Sequence, residues 1–339
     1  MSSINSTLQA SFSLTTFSGA SDNYDFFRDR ILPNLNPNTI SALRSDWNAW
    51  QRFISSDVGM SRFSQLSAAE QVNVLIDYFE WLKKSYKPST IRRRLAGLSM
   101  ILNILGLPDG TKEWKFKQFK GPAFARIAAP ETQAKPFRYP KVEEAFRCID
   151  SDIFTFRAAL IVQLAYDTLC RASELIAVTM DDIFVDQDGS ALLFVRRSKN
   201  DQNAAGSYRQ ISAETMKFVE IWMQRNRAAG RTKYLLSHIT GRQQGNKIRR
   251  VKSGKDENPI SYKAILAAFK HFGEEFSAHS ARVGAVQDLT QFEKSLAQIQ
   301  QAGGWKSPIM AAHYGRNINA KQGAMAQFRA KMRRRNLSE

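Results

Sequence analysis

A chain of 339 residues exceeds the roughly 250 to 300 residues that one hydrophobic core organises, so two domains are expected. Its formal net charge of +18 comes from Lys and Arg spread along the whole length, which makes a polyanion the expected partner. No stretch approaches the roughly 18 apolar residues of a membrane span, and the N-terminus lacks the basic-then-apolar order of a secretory signal. Two cysteines and four mostly dispersed histidines assemble no zinc set, so the expectation is a cytoplasmic protein acting on nucleic acid with no metal, no cofactor and no membrane.

Residues 1–25 are rich in Ser, Thr and Asn with little periodicity and are read as a flexible arm. In "NTISALRSDWNAWQRFI" the positions Ile40, Leu43, Trp47, Trp50 and Ile54 recur at helical intervals. Ser67 and Glu70 form a capping box ahead of a helix whose buried stripe is Val72, Leu75, Ile76, Phe79 and Leu82. The next helix starts after Pro88 with Ser89 or Thr90 as its cap, turns Ile91, Leu95, Leu98 and Leu102 inward, and stops at Gly106 and Pro108. Its first turn exposes Arg92, Arg93 and Arg94. Three cations at a helix start oppose the macrodipole, so a phosphate or base-edge partner accounts for them better than helix stability does. Lys112, Lys115, Lys117 and Lys120 then interleave with Trp114, Phe116 and Phe119, an alternation that suits a DNA backbone and equally a half-buried helix.

Three prolines in "IAAPETQAKPFRYP" mark the interdomain linker. The expected division is an arm over 1–25, a helical domain over 26–127, a linker over 128–140 and a second domain over 141–339. The second domain reads as helices through "KVEEAFRCI", "IFTFRAALIVQLAYDTL" and "CRASELIAVTMDDI", placing Cys148 and Cys170 as buried thiols. A hairpin or small sheet with a DG turn follows, then a helix capped by Ser212 and ending at Gly230, a basic polar loop over 238–257 and five further helices. The fold class is mostly α with a small antiparallel β-sheet.

Cutting a DNA phosphodiester without a metal requires preorganised cationic donors for the equatorial oxygens, a nucleophile and a proton donor for the leaving oxygen. Arginine suits the first role because its guanidinium is always charged and presents a planar fork. Arg171 lies three residues before Glu174, Arg282 three after His279, Lys199 at a hairpin tip, and Trp305 after a glycine pair, with an indole that can only donate. Singly, each has an ordinary structural explanation as an ion pair, a chance helical spacing, a solvated tip or a core anchor.

Taken together, Arg171 with Glu174, Lys199 in a hairpin, "HSARVGA" with His279 and Arg282, "QAGGW" with Trp305, and Tyr314 nine residues later resemble the tyrosine recombinase (lambda integrase) family. The resemblance covers most of residues 38–330. It implies a two-domain, C-shaped DNA clamp, with a helical core-binding domain and a mixed α/β catalytic domain. It implies strand exchange through a Holliday junction by a homotetramer on two copies of a specific double-stranded DNA site, inverted repeats around a spacer, in a bacterial, plasmid-borne or phage-borne setting. Tyr314 would attack the scissile phosphate to form a 3′-phosphotyrosine. Arg171 and Arg282 would hold its oxygens with His279 and Trp305 as further partners, Lys199 would protonate the leaving 5′ oxygen, and Glu174 would orient its neighbours.

Arg93 with Arg92 and Arg94, and Lys263 in "ISYKAILAAFKHF", fall where the family reads the major groove, and Lys117 and Lys120 join them as expected DNA contacts. Arg196 and Arg197 beside Lys199 leave the proton donor open, whereas His313 is read as flanking Tyr314, because helix neighbours point about 100° apart. The tract before His279 is shorter than in the family member it most resembles. The amphipathic tail helix, about residues 319–334 with Met325, Phe328 and Met332 on one side, is expected to link protomers. The competing readings are a type IB topoisomerase or telomere resolvase with the same chemistry, and a DNA-binding or architectural protein without activity.

Overall fold

The computed structural model describes residues 22–56, 59–130, 132–197, 205–239, 258–321 and 323–336. These fall into two units, Met1–Glu131 and Thr132–Glu339.

The first unit contains α1 (Asp22–Phe26), α2 (Pro37–Ser56), α3 (Met60–Gln65), α4 (Gln71–Lys83), α5 (Pro88–Ile104) and α6 (Trp114–Arg126). The periodic stripes meet in one core, in which Leu43, Trp47, Trp50 and Ile54 of α2 pack with Leu75 and Phe79 of α4 and with Ile91, Leu98 and Leu102 of α5. Trp50 packs edge-on to Phe63 and Tyr78 at centroid separations of 4.8 and 4.9 Å, the arrangement that ring quadrupoles favour. The Ser67–Glu70 capping box is present, with Ser67 N–H donating to Glu70 Oε2 at 2.8 Å.

Two local expectations are corrected. Residues 22–25 of the expected arm belong to a helix, and the remainder of the arm lies outside the described residues. α5 has neither Ser89 nor Thr90 as its cap; Lys87 precedes it in extended conformation and Pro88 opens it, its fixed φ being already helical.

The second unit runs α7 (Tyr139–Phe146), α8 (Ile153–Thr168), α9 (Ala172–Ala177), β1 (Ile183–Val185), β2 (Ala191–Val195), β3 (Ser207–Ile211), α10 (Ala213–Ala228), α11 (Tyr262–His271), α12 (Ser280–Gln291), α13 (Leu296–Gly303), α14 (Ile309–Lys321) and α15 (Ala324–Asn336). α8 is apolar on nearly every face because it is the central helix, with Phe156, Leu160, Ile161 and Leu164 all buried. The strands form an antiparallel sheet in the order β1-β2-β3, with Leu193 opposite both Ile183 and Arg209.

The helix expected through Asp182 stops at Ala177. Val178 turns extended and its carbonyl accepts Leu235 N–H, and Thr179 caps the turn Met180–Asp182 with its hydroxyl on the Asp182 carboxylate at 2.7 Å. Cys170 is buried as expected, but Cys148 is only half-buried.

The segment before α7 lies along one stripe of α12. Phe137 N–H donates to Ser280 O at 2.9 Å, Tyr139 N–H to Asp288 Oδ2 at 3.0 Å, and the Arg138 guanidinium to Asp288 and Gln291. Gly284 makes this contact possible, since a Cβ added there would stand 1.8 Å from Phe137 O. Among the described residues, no helix is long and apolar enough to cross a membrane.

Candidate active site

Helix α8 ends on Leu169, a non-glycine residue in the left-handed region at φ 49°. Such a conformation costs free energy and persists only where its surroundings enforce it. Here the turn aims the Leu169 carbonyl at the Arg282 guanidinium of α12, whose Nη1 donates to it. The same turn delivers Arg171 to the start of α9, where Glu174 accepts from both the Arg171 backbone N–H and its Nη1, each at 2.7 Å. Glu174 Oε2, which takes the Arg171 N–H, also stands 4.0 Å from Arg282 Nη1, so one buried carboxylate holds two guanidiniums side by side.

Arg282 is 1 % exposed and its guanidinium carbon lies 4.7 Å from the centroid of the Trp305 ring, a cation–π contact. Its Nε and Nη2, and the Nε1 of Trp305, are buried and have no hydrogen-bond partner among the described residues. Unpaired buried donors are costly, and an acceptor reaching Arg282 and Trp305 would relieve three of them at once. Burial first, and then Arg171, lowers Arg282 to about 10, so it stays charged at neutral pH.

Trp305 reaches the site because α13 ends on Gly304 at φ 58°, with the buried Arg209 of β3 packed beneath it. A Cβ on Gly304 would lie 1.6 Å from Arg209 Nη2. α14 then carries Tyr314, 7 % exposed, with its ring 5.7 Å from Trp305 and its hydroxyl 2.7 Å from His279 Nε2. The hydroxyl bond goes to His279, while adjacent His313 meets the Tyr314 ring edge-on at 5.7 Å.

Burial, and then the charges of Arg282 and Arg171, lower His279 to about 4, so its imidazole is neutral at physiological pH. The unfolded imidazole takes up a proton as pH falls through about 6.5, whereas the folded one resists until near 4. This contribution to stability is therefore complete above that window and is lost as pH drops through it. Urea denaturation at pH 7.5 and 5.0 is expected to show a smaller acid-induced loss in His279→Gln than in wild type; equal losses would contradict the assignment.

The structure thus brings Arg171, Glu174, His279, Arg282, Trp305 and Tyr314 together, whereas Lys199 lies outside the described residues. Arg196, the alternative at the foot of that loop, is tied to buried Asp182 at 2.5 Å. In the first unit, Arg92 and Arg93 are exposed as expected and only Arg94 is not. Arg94 is 6 % exposed, stacks over Tyr86 at 4.3 Å and donates to Ser45 O, and Arg93 donates to buried Asp46 at 2.6 Å. Arg92 alone of the three makes no ion pair among the described residues; it lies over the Phe124 ring at 4.6 Å and lines a groove of about 530 Å³ with Lys112, Lys117 and Lys120. Lys263 is exposed at the start of α11.

The phage integrase family profile matches residues 139–321, more than half of the chain and all six of these residues. The chain belongs to the phage integrase family. It is 28% identical over 197 residues to the Cre recombinase of Escherichia phage P1, a match covering 55% of each protein, so the chain spans about half the length of that relative. Its fold is similar to that of the XerH site-specific recombinase in a post-cleavage complex with difH substrate, with a TM-score of 0.57 at 13% identity over 86% of this chain and 81% of that one. It is similar too to the Tn1549 transposon integrase bound to transposon right-end DNA, with a TM-score of 0.55 at 14% identity over 92% and 98% of the two chains.

In this phage integrase chain, sequence reasoning missed the Leu169 carbonyl, Arg209 and Gln133, whose Nε2 donates to the carbonyls of His313 and Tyr314, each at 3.3 Å. No spacing rule marks them. A left-handed leucine leaves no trace in composition, and a strand arginine or linker glutamine looks solvent-directed until its neighbours are placed.

Proposed function

We propose that this chain is a site-specific DNA recombinase that cuts and rejoins DNA through a 3′-phosphotyrosine and a Holliday junction. The observation that carries the reading is the convergence of the Tyr314 hydroxyl with the unpartnered donors of Arg282 and Trp305. These are the groups a phosphodiester needs: an oxygen to attack it and cationic and neutral donors for its oxygens.

The scissile phosphate accepts from Arg282 Nε and Nη2, Trp305 Nε1 and the Arg171 guanidinium. The Tyr314 oxygen attacks phosphorus as its proton passes to neutral His279, a role closer to the nucleophile than the phosphate contact expected from sequence. The bond from phosphorus to the 5′ oxygen breaks, the 3′-phosphotyrosine forms, and Lys199 gives the departing 5′ oxygen its proton. Glu174 keeps the two like-charged guanidiniums adjacent. Attack by the freed 5′ hydroxyl of a second strand reverses each step and rejoins DNA in the exchanged connection.

Residues 26–127 serve as the core DNA-binding domain and 141–339 as the catalytic domain. Arg92, Lys117 and Lys120 around the groove of the first unit, and Lys263 of the second, contact the duplex; Arg93 supports Arg92's helix through Asp46 and reaches the DNA only secondarily. The tail helix α15 exposes Met325, Phe328 and Met332 (70, 53 and 37 % exposed), an apolar face suited to a neighbouring protomer in a homotetramer on two DNA sites. That face favours recombination over relaxation by a type IB topoisomerase, which requires no second protomer.

A nicked duplex bearing the cognate inverted repeats tests the reading. The expected result is an SDS-resistant protein–DNA adduct formed in the presence of a chelator and without nucleotide, followed by exchange between two sites that deletion of residues 320–339 prevents. No adduct would overturn the chemistry, and an adduct with undiminished exchange after the deletion would overturn the role of α15.

A further inference from the structure

The nucleophile is held from a direction the mechanism does not use. The segment 132–139 that leads into α7 is fastened along α12 by Phe137, Arg138 and Tyr139, through Ser280, Asp288 and Gln291. Its opposite end reaches α14. There Ala134 packs against the apolar cluster that includes Leu169, Trp305 and Tyr314, and the Gln133 side-chain amide donates at 3.3 Å to the backbone carbonyls of both His313 and Tyr314.

Carbonyls inside a helix carry a second lone pair beyond the one used by the N–H four residues on, so Gln133 adds to the helix without unwinding it. One amide bridging two successive carbonyls resists rotation as well as sliding, because either motion lengthens at least one contact. The anchoring end of the strap is rigid by construction, since the Phe137 backbone occupies the space a side chain at Gly284 would fill.

We infer that Gln133 is a positioning residue for Tyr314, and that the strap 132–139 holds the nucleophile's turn of α14 where its hydroxyl meets His279. The consequence for strand cleavage rests on the recombinase reading; the mechanical link does not.

The test uses the full chain with Gln133→Met, which keeps length and loses the donor, Gln133→Glu, which keeps shape and can only accept, and Gln133→Lys, which restores a donor. In the free protein, hydrogen exchange of the α14 amides is expected to quicken about 5- to 30-fold in the Met and Glu variants, with core amides of α8 unchanged and the Lys variant near wild type. On saturating nicked duplex, the first-order rate of adduct formation is expected to fall by a similar factor in the Met and Glu variants, with the half-saturating DNA concentration unchanged. Wild-type exchange in the Met and Glu variants overturns the strap. Faster exchange with an undiminished adduct rate overturns its role in positioning the nucleophile. If the wild type itself forms no adduct, the recombinase reading fails and the exchange contrast decides the strap alone.

Discussion

Tyr314→Phe is expected to bind the duplex within about twofold of wild type and to form no SDS-resistant adduct at any time or concentration. The ring contributes packing against Trp305 and His279, and both contacts survive the change. Only the hydroxyl is lost, and with it the bond to His279 Nε2. Leaving that imidazole nitrogen unpaired costs on the order of 1 kcal/mol, too little to unfold a domain. Loss of the adduct with folding and DNA affinity intact therefore isolates the oxygen as the nucleophile. An adduct persisting in the Phe variant would transfer that role to another residue and sink the assignment.

Arg282 carries the second large expectation. It is the most buried cation of the site, fixed by the Leu169 carbonyl on one side and stacked on Trp305 on the other, with two donors left over. Removing one donor of this kind lowers the chemical rate by about 10² to 10³. Arg282→Ala would also leave a cavity beside Glu174, and breaking a buried charge network costs about 3 to 5 kcal/mol, so its inactivity alone would be ambiguous. Arg282→Lys is the informative variant. It retains the charge but lacks the planar fork, so it cannot hold the Leu169 carbonyl and two phosphate oxygens at once. The expectation is a folded protein, by urea denaturation, whose single-turnover adduct rate is at least about 10²-fold reduced at saturating DNA. A rate within tenfold of wild type would mean that charge alone suffices and that the orphaned Nε and Nη2 are not phosphate donors.

The two guanidiniums illustrate why a like-charged pair belongs in a buried site. Burial, and then the charge of Arg171, disfavour the charged form of Arg282. Glu174 offsets this penalty, with Oε1 on the Arg171 guanidinium and Oε2 4.0 Å from Arg282 Nη1. The pair remains one net positive charge in excess, which is the condition for attracting a phosphodiester and stabilising the additional negative charge that develops on attack.

Much of this was legible in the chain. Helical periodicity located the α2, α4 and α5 cores because a stripe recurring at three and four residues has to be covered. The spacings Arg171–Glu174 and His279–Arg282 each lie within one helical turn, and the nine residues from Trp305 to Tyr314 leave room for a turn and the start of α14. The failures share a cause as well. Arg92, Arg93 and Arg94 are one run of identical residues, yet successive helix positions face about 100° apart, so one faces the groove, one reaches Asp46 and one is buried on Tyr86. The continuation of α9 was misread because "VTMDDI" keeps an apolar rhythm, whereas Val178 is claimed by the distant Leu235.

The amino-acid sequence by itself determined the local elements, the excess of positive charge and the chemical inventory of the site, since each depends on residue type and on intervals shorter than a few helical turns. The tertiary structure decided everything that joins distant segments. It set the Leu169 carbonyl on Arg282, 113 positions away, Arg209 beneath Gly304, and Gln133 on the carbonyls of His313 and Tyr314, 181 positions from Tyr314. The first of those contacts arises where α8 and α12 pack together and the others where β3 and the segment before α7 meet α13 and α14, and no interval along the chain encodes which atoms will meet.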